Sequence, residues 1–167
     1  MLIIFGGLPG SGKTTIARHL AQEIRGVYVR VDTIEQGIRE YHGVDFEVGP
    51  AGYVAAYGVA QDNLALGHTV IADSVNGLRV TRDAWLLVAR RAGVSAVEIE
   101  VVCSDKTEHR RRAETRVTDV AGLIKPSWKA IVERHYEDWG QTPIAVDTAT
   151  MNASEIVADL VSKLKLA

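Results

Sequence analysis

With 167 residues, a formal net charge of −2, 47% hydrophobic and 24% charged residues, the chain has the composition of an ordinary globule large enough to bury a core. The slight acidic balance argues against a general nucleic-acid or membrane surface, which would want a basic excess. No apolar run approaches the ~18 residues of a membrane span, and the lone Cys103 allows no internal disulfide.

Cys103 ends a strand pattern and reads as a buried core thiol. The first strand pattern has no charged n-region before it, so a signal peptide is not expected and the cytoplasm is the expected compartment.

Leu2-Ile3-Ile4-Phe5 reads as a short buried strand. It leads into Gly7-Leu8-Pro9-Gly10-Ser11-Gly12-Lys13-Thr14, followed by Thr15, a match to G-x-x-x-x-G-K-[ST], the P-loop. Ile16, Ala17, Leu20, Ala21 and Ile24 then recur at helical spacing, and Gly26 is expected to end that helix. Val27–Val31 is the second strand. Asp32-x-x-Glu35 has capping-box spacing and predicts a helix from Asp32 to about Glu40. Residues 42–52 are loop-like and suit a substrate-facing segment. A third helix is predicted over Tyr53–Leu66, stopping at Gly67.

Thr69–Asp73 is the third strand, with Ser74–Gly77 as its exit loop, and residues 80–92 form a helix that stops at Gly93. In the fourth strand, Ala96–Cys103, Glu98 and Glu100 alternate with Val97, Ile99 and Val101, the pattern of a half-exposed strand. A basic helix follows over Asp105–Thr115, and Val117–Lys125 has little periodicity. Pro126 is expected to start a helix reaching about Trp139. Pro143–Asp147 is the last strand. Asn152-x-x-Glu155 caps a final helix with Ile156, Val157, Leu160, Val161 and Leu164 on one face.

Five strands alternating with helices predict an α/β fold with a parallel sheet covered on both faces and joined by right-handed crossovers. There is no repeat, linker or low-complexity tract, so one domain over residues 1–167 is expected. Ligands of such sheets bind beyond the carboxyl ends of the strands. That rule selects the P-loop, Asp32, Asp73–Asn76, Ser104–Asp105 and Asp147–Thr150.

The P-loop residues carry a specific chemistry. Glycines let the backbone take φ > 0 and leave no Cβ between the loop and an anion. Its amides then point at phosphate oxygens from the positive end of a helix. Lys13 is expected on the β/γ-phosphates and the Thr14 hydroxyl on Mg²⁺; a glycine-rich turn that binds nothing has no use for the Lys-Thr pair.

Asp32, beyond the second strand, is a candidate base for an attacking hydroxyl, with a purely structural N-cap as the alternative. Arg39 shares its helix face and could hold an anionic group of an acceptor, or be merely solvated. Asp73 occupies a position suited to a carboxylate near Mg²⁺, with a polar strand end as the alternative; Ser74 and Asn76 are candidates to line the acceptor pocket. In His109–Arg116, Arg112 and Arg116 are four apart and could close on a transferring phosphoryl group, whereas Arg110 and Arg111 point elsewhere. The alternative is a solvated face balanced by Asp105, Glu108 and Glu114. The irregular stretch after Arg116 reads as a mobile lid. Trp85, Trp128 and Trp139 fall in helical segments and suit packing rather than base stacking.

Taken together, the strand before Gly-Leu-Pro-Gly-Ser-Gly-Lys-Thr-Thr, the Val-Asp32 after the second strand, the Arg-x-x-x-Arg of 112–116 and the Pro-Ser-Trp at 126–128 resemble the small P-loop kinases. These include zeta-toxin-like, chloramphenicol-phosphotransferase-like, gluconate-kinase-like and adenylylsulfate-kinase-like proteins, and the similarity spans nearly the whole chain. The Asp-x-Asp of shikimate kinases is absent. The resemblance implies a three-layer P-loop NTPase fold with sheet order 2-3-1-4-5 and a lid over about 112–126. It implies Asp32 as the acceptor-activating aspartate, Arg112 and Arg116 as lid arginines, and Asp147 and Thr148 beside the adenine.

The expected activity is therefore an ATP- and Mg²⁺-dependent kinase acting on a small molecule. The alternative is a nucleotide-hydrolysing switch; no Asn-Lys-x-Asp motif supports GTP, and the slightly acidic balance disfavours a polynucleotide end kinase.

Overall fold

A computed structural model describes residues 1–43, 45–140 and 143–166; Val44, in the loop expected over 42–52, lies outside the described residues. The elements are β1 (Leu2–Gly6), α1 (Lys13–Glu23), β2 (Val27–Arg30), α2 (Val31–His42), α3 (Ala51–Ala65), β3 (Val70–Asp73), α4 (Arg79–Arg91), β4 (Ala96–Val102), α5 (Lys106–Thr115), α6 (Trp128–Val132), β5 (Ile144–Asp147) and α7 (Ala153–Leu164). The strands form one parallel sheet in the order β2-β3-β1-β4-β5, as the resemblance implied.

β1 is central and wholly buried, and its side chains alternate between the faces of the sheet. Ile3 and Phe5 meet Ile16 and Leu20 of α1 and Ile156 and Leu160 of α7; Leu2 and Ile4 meet Ala56 and Ala60 of α3 and Trp85 and Val88 of α4. Each face is thus covered by two helices, and the apolar stripes of α1 and α7 read from the sequence are the ones that pack. Glu98 and Glu100 are half-buried on β4, as their alternation predicts, and Glu100 accepts a hydrogen bond from the Tyr136 hydroxyl at 3.0 Å. The Asn152–Glu155 capping box forms in full. Among the described residues, no helix is long and apolar enough to cross a membrane.

Three local expectations are corrected. Asp32 does not cap α2: the N-cap is Arg30, and no side chain caps that end. Val31 enters the core at 1% exposure as the first helical residue, which moves the start of the helix upstream and leaves Asp32 inside the first turn.

The helix expected from Pro126 to Trp139 is only the five-residue α6, capped by Ser127. Beyond it, the Glu137 N–H, which a continued helix would direct at Glu133 O, donates to Gly77 O at 2.8 Å, and Arg82 donates to the carbonyls of Glu137 and Asp138 at 3.4 and 3.0 Å, which ties this stretch to the start of α4. The buried Trp139 ring lies under the same guanidinium, 4.8 Å from its centroid.

At the end of α1 the left-handed residue is Arg25 (φ 51°) rather than Gly26. Gly26 is needed for space: a Cβ there would lie 2.3 Å from Ile71 Cδ1.

Gly6 is similarly confined, because an added Cβ would lie 2.1 Å from Trp139 Cζ2. Gly6→Ala must push a rigid, buried ring, and overpacking of this kind costs ~1–3 kcal/mol. Urea unfolding should show a lower midpoint with an unchanged slope; an unaltered midpoint would mean that Trp139 is not fixed against β1.

Candidate functional site

The P-loop turns out of β1 through Gly10 (φ 88°) and Gly12 (φ 95°), both left-handed. Its backbone carbonyls are held from behind. His109 Nε2 donates to Pro9 O at 3.0 Å, and the Thr148 hydroxyl donates to Ser11 O at 2.8 Å. The helix that follows has no side-chain cap, and its first internal bond is Ile16 N–H to Gly12 O. The amides of residues 13–15 therefore have no partner within the helix, and they stand at its positive end. That arrangement suits an anion with several oxygens.

Two cavities open beside the loop. The first, about 500 Å³, is walled by Gly10, Gly12, Lys13, Thr14 and Thr15 of the loop, by Arg18, His19 and Gln22 of α1, and by Arg30, Arg112 and residues 116–119. The second, about 380 Å³, lies between the start of α2 (Asp32, Glu35, Gln36, Arg39), Tyr53 of α3, and Gly122, Leu123, Ile124 and Pro126 with Arg134. Lys13 and Arg116 line both. Lys13 is 5% exposed, and neither side chain forms an ion pair among the described residues. The buried Arg116 Nε has no hydrogen-bond partner either.

The neighbouring arginines differ. Arg110 pairs with Glu114 and Arg111 with Glu108, so these two are the surface pairs that the sequence suggested. Arg112 is fixed to the protein: Nε donates to Glu108 at 2.7 Å and Nη1 to the Thr148 hydroxyl at 2.9 Å. Hydrogen bonds from Arg111 and Arg112 hold the Glu108 carboxyl down to about 2. Arg116 leaves the helix with extended backbone (φ −54°, ψ 137°), so it no longer stacks over Arg112 on one helix face. Three residues further on, Asp119 bonds to Arg30 Nη1 at 2.7 Å and to Arg18, and the bond to Arg30 keeps its carboxyl low.

The predicted residues thus separate into two groups. Lys13, Thr14, Asp32, Arg39, Arg112 and Arg116 line a cavity, as do Pro9, Gly10, Gly12 and Thr15. Gly7, Leu8 and Ser11 do not; Gly7 N–H donates to Val75 O at 3.0 Å and Ser11 N–H to Leu8 O at 3.1 Å, which shapes the loop.

Asp73, Ser74 and Asn76 do not line the second cavity. All three are buried, and the Asn76 amide is spent on Phe5 O at 2.7 Å. Asp73 Oδ2 accepts from the Tyr28 hydroxyl at 2.6 Å while Oδ1 is unpartnered. Asp147 and Thr148 also lie behind the loop. Asp147 accepts the Ser104 and Ala149 amides at 3.0 Å each, and the Ser104 bonds lower its carboxyl.

Sequence reasoning missed Glu35, Tyr53 and Arg134 in the second cavity, and Arg18, Arg30 and Asp119 in the first. The sequence presents Glu35 only as a capping-box partner; in the fold it pairs with Arg39 at 3.7 Å, and burial, then Asp32, raises its carboxyl. Its place on the Asp32 face of the helix was the available signal.

A family model described as an AAA domain matches residues 2–135. No curated protein matches the chain. A candidate kinase from Chloroflexus aurantiacus J-10-fl is 21% identical over 98% of this chain and 95% of its own, with a TM-score of 0.76. Kti12 of Chaetomium thermophilum, solved with ADP-AlF3, is 22% identical over 100% of both chains, with a TM-score of 0.70. A gluconokinase of Sinorhizobium meliloti 1021 is 19% identical over 98% of this chain and 94% of its own, with a TM-score of 0.64. At these identities the likenesses speak for the fold, whereas the family model covers most of the chain. The chain belongs to this AAA domain family and has the P-loop NTPase fold of the small P-loop kinases.

Proposed function

We propose that the protein is an ATP- and Mg²⁺-dependent kinase that transfers the γ-phosphoryl group to a hydroxyl of a small-molecule acceptor. The observation that carries this reading is the shared wall: two cavities meet at Lys13 and Arg116, which line both and form no ion pair among the described residues. A nucleotide-hydrolysing switch needs only the first cavity. The second, at about 380 Å³, falls in the range of small-molecule sites. The likeness to a gluconokinase points the same way.

In this reading the P-loop amides cradle the triphosphate and Lys13 meets its β/γ-phosphates. The unpartnered Oδ1 of Asp73 and the Thr14 hydroxyl are oxygen donors of the kind Mg²⁺ takes; the ion would neutralise charge between the β- and γ-phosphates. Asp32 accepts the acceptor's hydroxyl proton as the oxygen–phosphorus bond forms and ADP leaves. Arg116 balances charge on the transferring group, and Arg112, fixed by Glu108 and Thr148, forms a rigid part of the nucleotide wall. Arg39, Glu35 and Arg134 face the acceptor. Residues 116–126, joining the two cavities from above, act as the lid.

Mg-ATP should raise the melting temperature, because a ligand bound only by the native state adds ~2.7 kcal/mol at 100 Kd. Lys13→Ala should abolish most of that shift; equal shifts in both proteins would rule out the P-loop assignment. Incubation with Mg-ATP, with and without pooled hydroxylated metabolites, tests the reaction class. Acceptor-stimulated ADP formation is expected, whereas turnover that no acceptor raises would mean a hydrolytic switch.

Asp32 carries no cap bond and its pair with Arg30 is long at 3.6 Å, so Asp32→Asn should lower the melting temperature only slightly while lowering kcat ~10²–10⁴-fold. Wild-type kcat in that variant would remove the base from this scheme. Arg116→Ala should lower kcat ~10³-fold with a smaller change in ATP affinity, and a loss confined to affinity would confine Arg116 to ground-state binding.

A further inference from the structure

Arg30 ends β2 in register with Asp73 at the end of β3. Its side chain is only 8% exposed, and each guanidinium nitrogen faces a different carboxylate. Nη1 donates to Asp119 Oδ1 at 2.7 Å, whereas Nη2 at 3.6 Å from Asp32 Oδ2 and Nε, which has no hydrogen-bond partner, at 3.9 Å from Asp73 Oδ2 act on those acids by charge. The three acids come from the lid segment, the start of α2 and the end of β3. They are the lid contact, the candidate base and the candidate Mg²⁺-side carboxylate of the proposed reaction. Arg18 also pairs with Asp119 and, among the described residues, with no other carboxylate, and Tyr28 supplies a neutral hydroxyl to Asp73.

The geometry points to Arg30 as a positioning residue that holds Asp32 and Asp73 in place for phosphoryl transfer and ties both to the closed lid. This rests on the kinase reading above. Without a cation between them, the carboxylates repel one another, and Asp73, at 1% exposure, has no water to take the place of the lost charge. A planar guanidinium can face three acids in fixed directions at once. A lysine ammonium is a point charge on a flexible stem and cannot hold all three orientations.

A mutant cycle on the full chain tests this, with Mg-ATP as the only substrate and water in the acceptor's place. Arg30→Met should lower kcat ~10–100-fold while the KM for ATP changes less than ~3-fold, since Arg30 acts through the acids and not on the phosphates. The Arg30→Met/Asp32→Asn double variant should lose clearly less than the product of the two single losses, because the part of the Arg30 effect that runs through Asp32 is already gone while the part through Asp73 remains. Arg30→Lys should recover only part of the loss. If Arg30→Met fails to fold, Arg30→Lys carries the same cycle, with the same non-additivity expected.

Multiplying losses in the double variant would overturn the inference and leave Arg30 a merely structural residue. Equal losses in Arg30→Met and Asp119→Asn would also overturn it, reducing Arg30 to a lid latch. If Asp32→Asn itself turns over at the wild-type rate, the base assignment falls and Arg30's role falls with it. A slow Asp32→Asn with an additive Arg30 variant removes the Arg30 inference alone.

Discussion

The parallel pairing of β1 with β3 and of β3 with β2 fixes where the chemistry can occur. Phe5 pairs with Asp73, and Asp73 pairs with Arg30, so three strands reach their carboxyl ends at one level. The chain leaves β1 into the P-loop, β2 into the first turn of α2, and β3 into a buried loop. Because β1 is buried on both faces and paired on both edges, its exit has only one direction. The P-loop inherits that rigidity, and bonds from His109 and Thr148 to its carbonyls fix its far side. The open face of its amides is therefore preorganised and needs no reordering when an anion binds.

Charge is distributed unevenly around that face. Arg110, Arg111 and Arg112 all have carboxylate partners, whereas Lys13 and Arg116, which line both cavities, have none among the described residues. Surface pairs of the first kind contribute little to stability. Cations left without partners in a partly enclosed cavity cost stability unless an anion arrives, which is the usual signature of a site rather than of a scaffold. The end of α5 produces the difference. Had the helix continued past Thr115, Arg116 would lie over Arg112 and Glu108; its extended backbone instead turns it into the wall between the cavities.

Much of this was legible in the sequence, because it rests on local patterns. The P-loop spacing, the alternation of strands and helices, the Asn152 cap and the half-exposed Glu98 and Glu100 each depend on residues a few positions apart. Asp32-x-x-Glu35 has the same spacing as Asn152-x-x-Glu155, yet only the latter forms a capping box. What separates them is the burial of Val31, a tertiary fact that local spacing does not contain. The short α6 has the same kind of cause, since Gly77, distant in sequence, takes the Glu137 N–H that a continued helix would have used. Strand ends correctly located Asp73, Ser74 and Asn76 but not the direction of their side chains, which turn inward to Tyr28 and Phe5. Arg30 and Asp119 meet across 89 positions of chain, and no periodicity reports such a pair.

The segment after α5 is attached by charge rather than by burial. Val117 is 94% exposed and Ile124 85%, so neither contributes much to holding it down. Its ties are polar: Asp119 to Arg18 and Arg30, and Lys125 Nζ to the carbonyls of Glu114 and Arg116 at 3.3 and 2.8 Å. Segments with few buried apolar contacts open at low free energy, and salt weakens ties between exposed charges. Arg18, whose pair with Asp119 is exposed, also lines the first cavity, where phosphate oxygens would compete for it. Attachment of the segment and occupation of the cavity would therefore both draw on Arg18, and any coupling between them would have the same free energy in both directions.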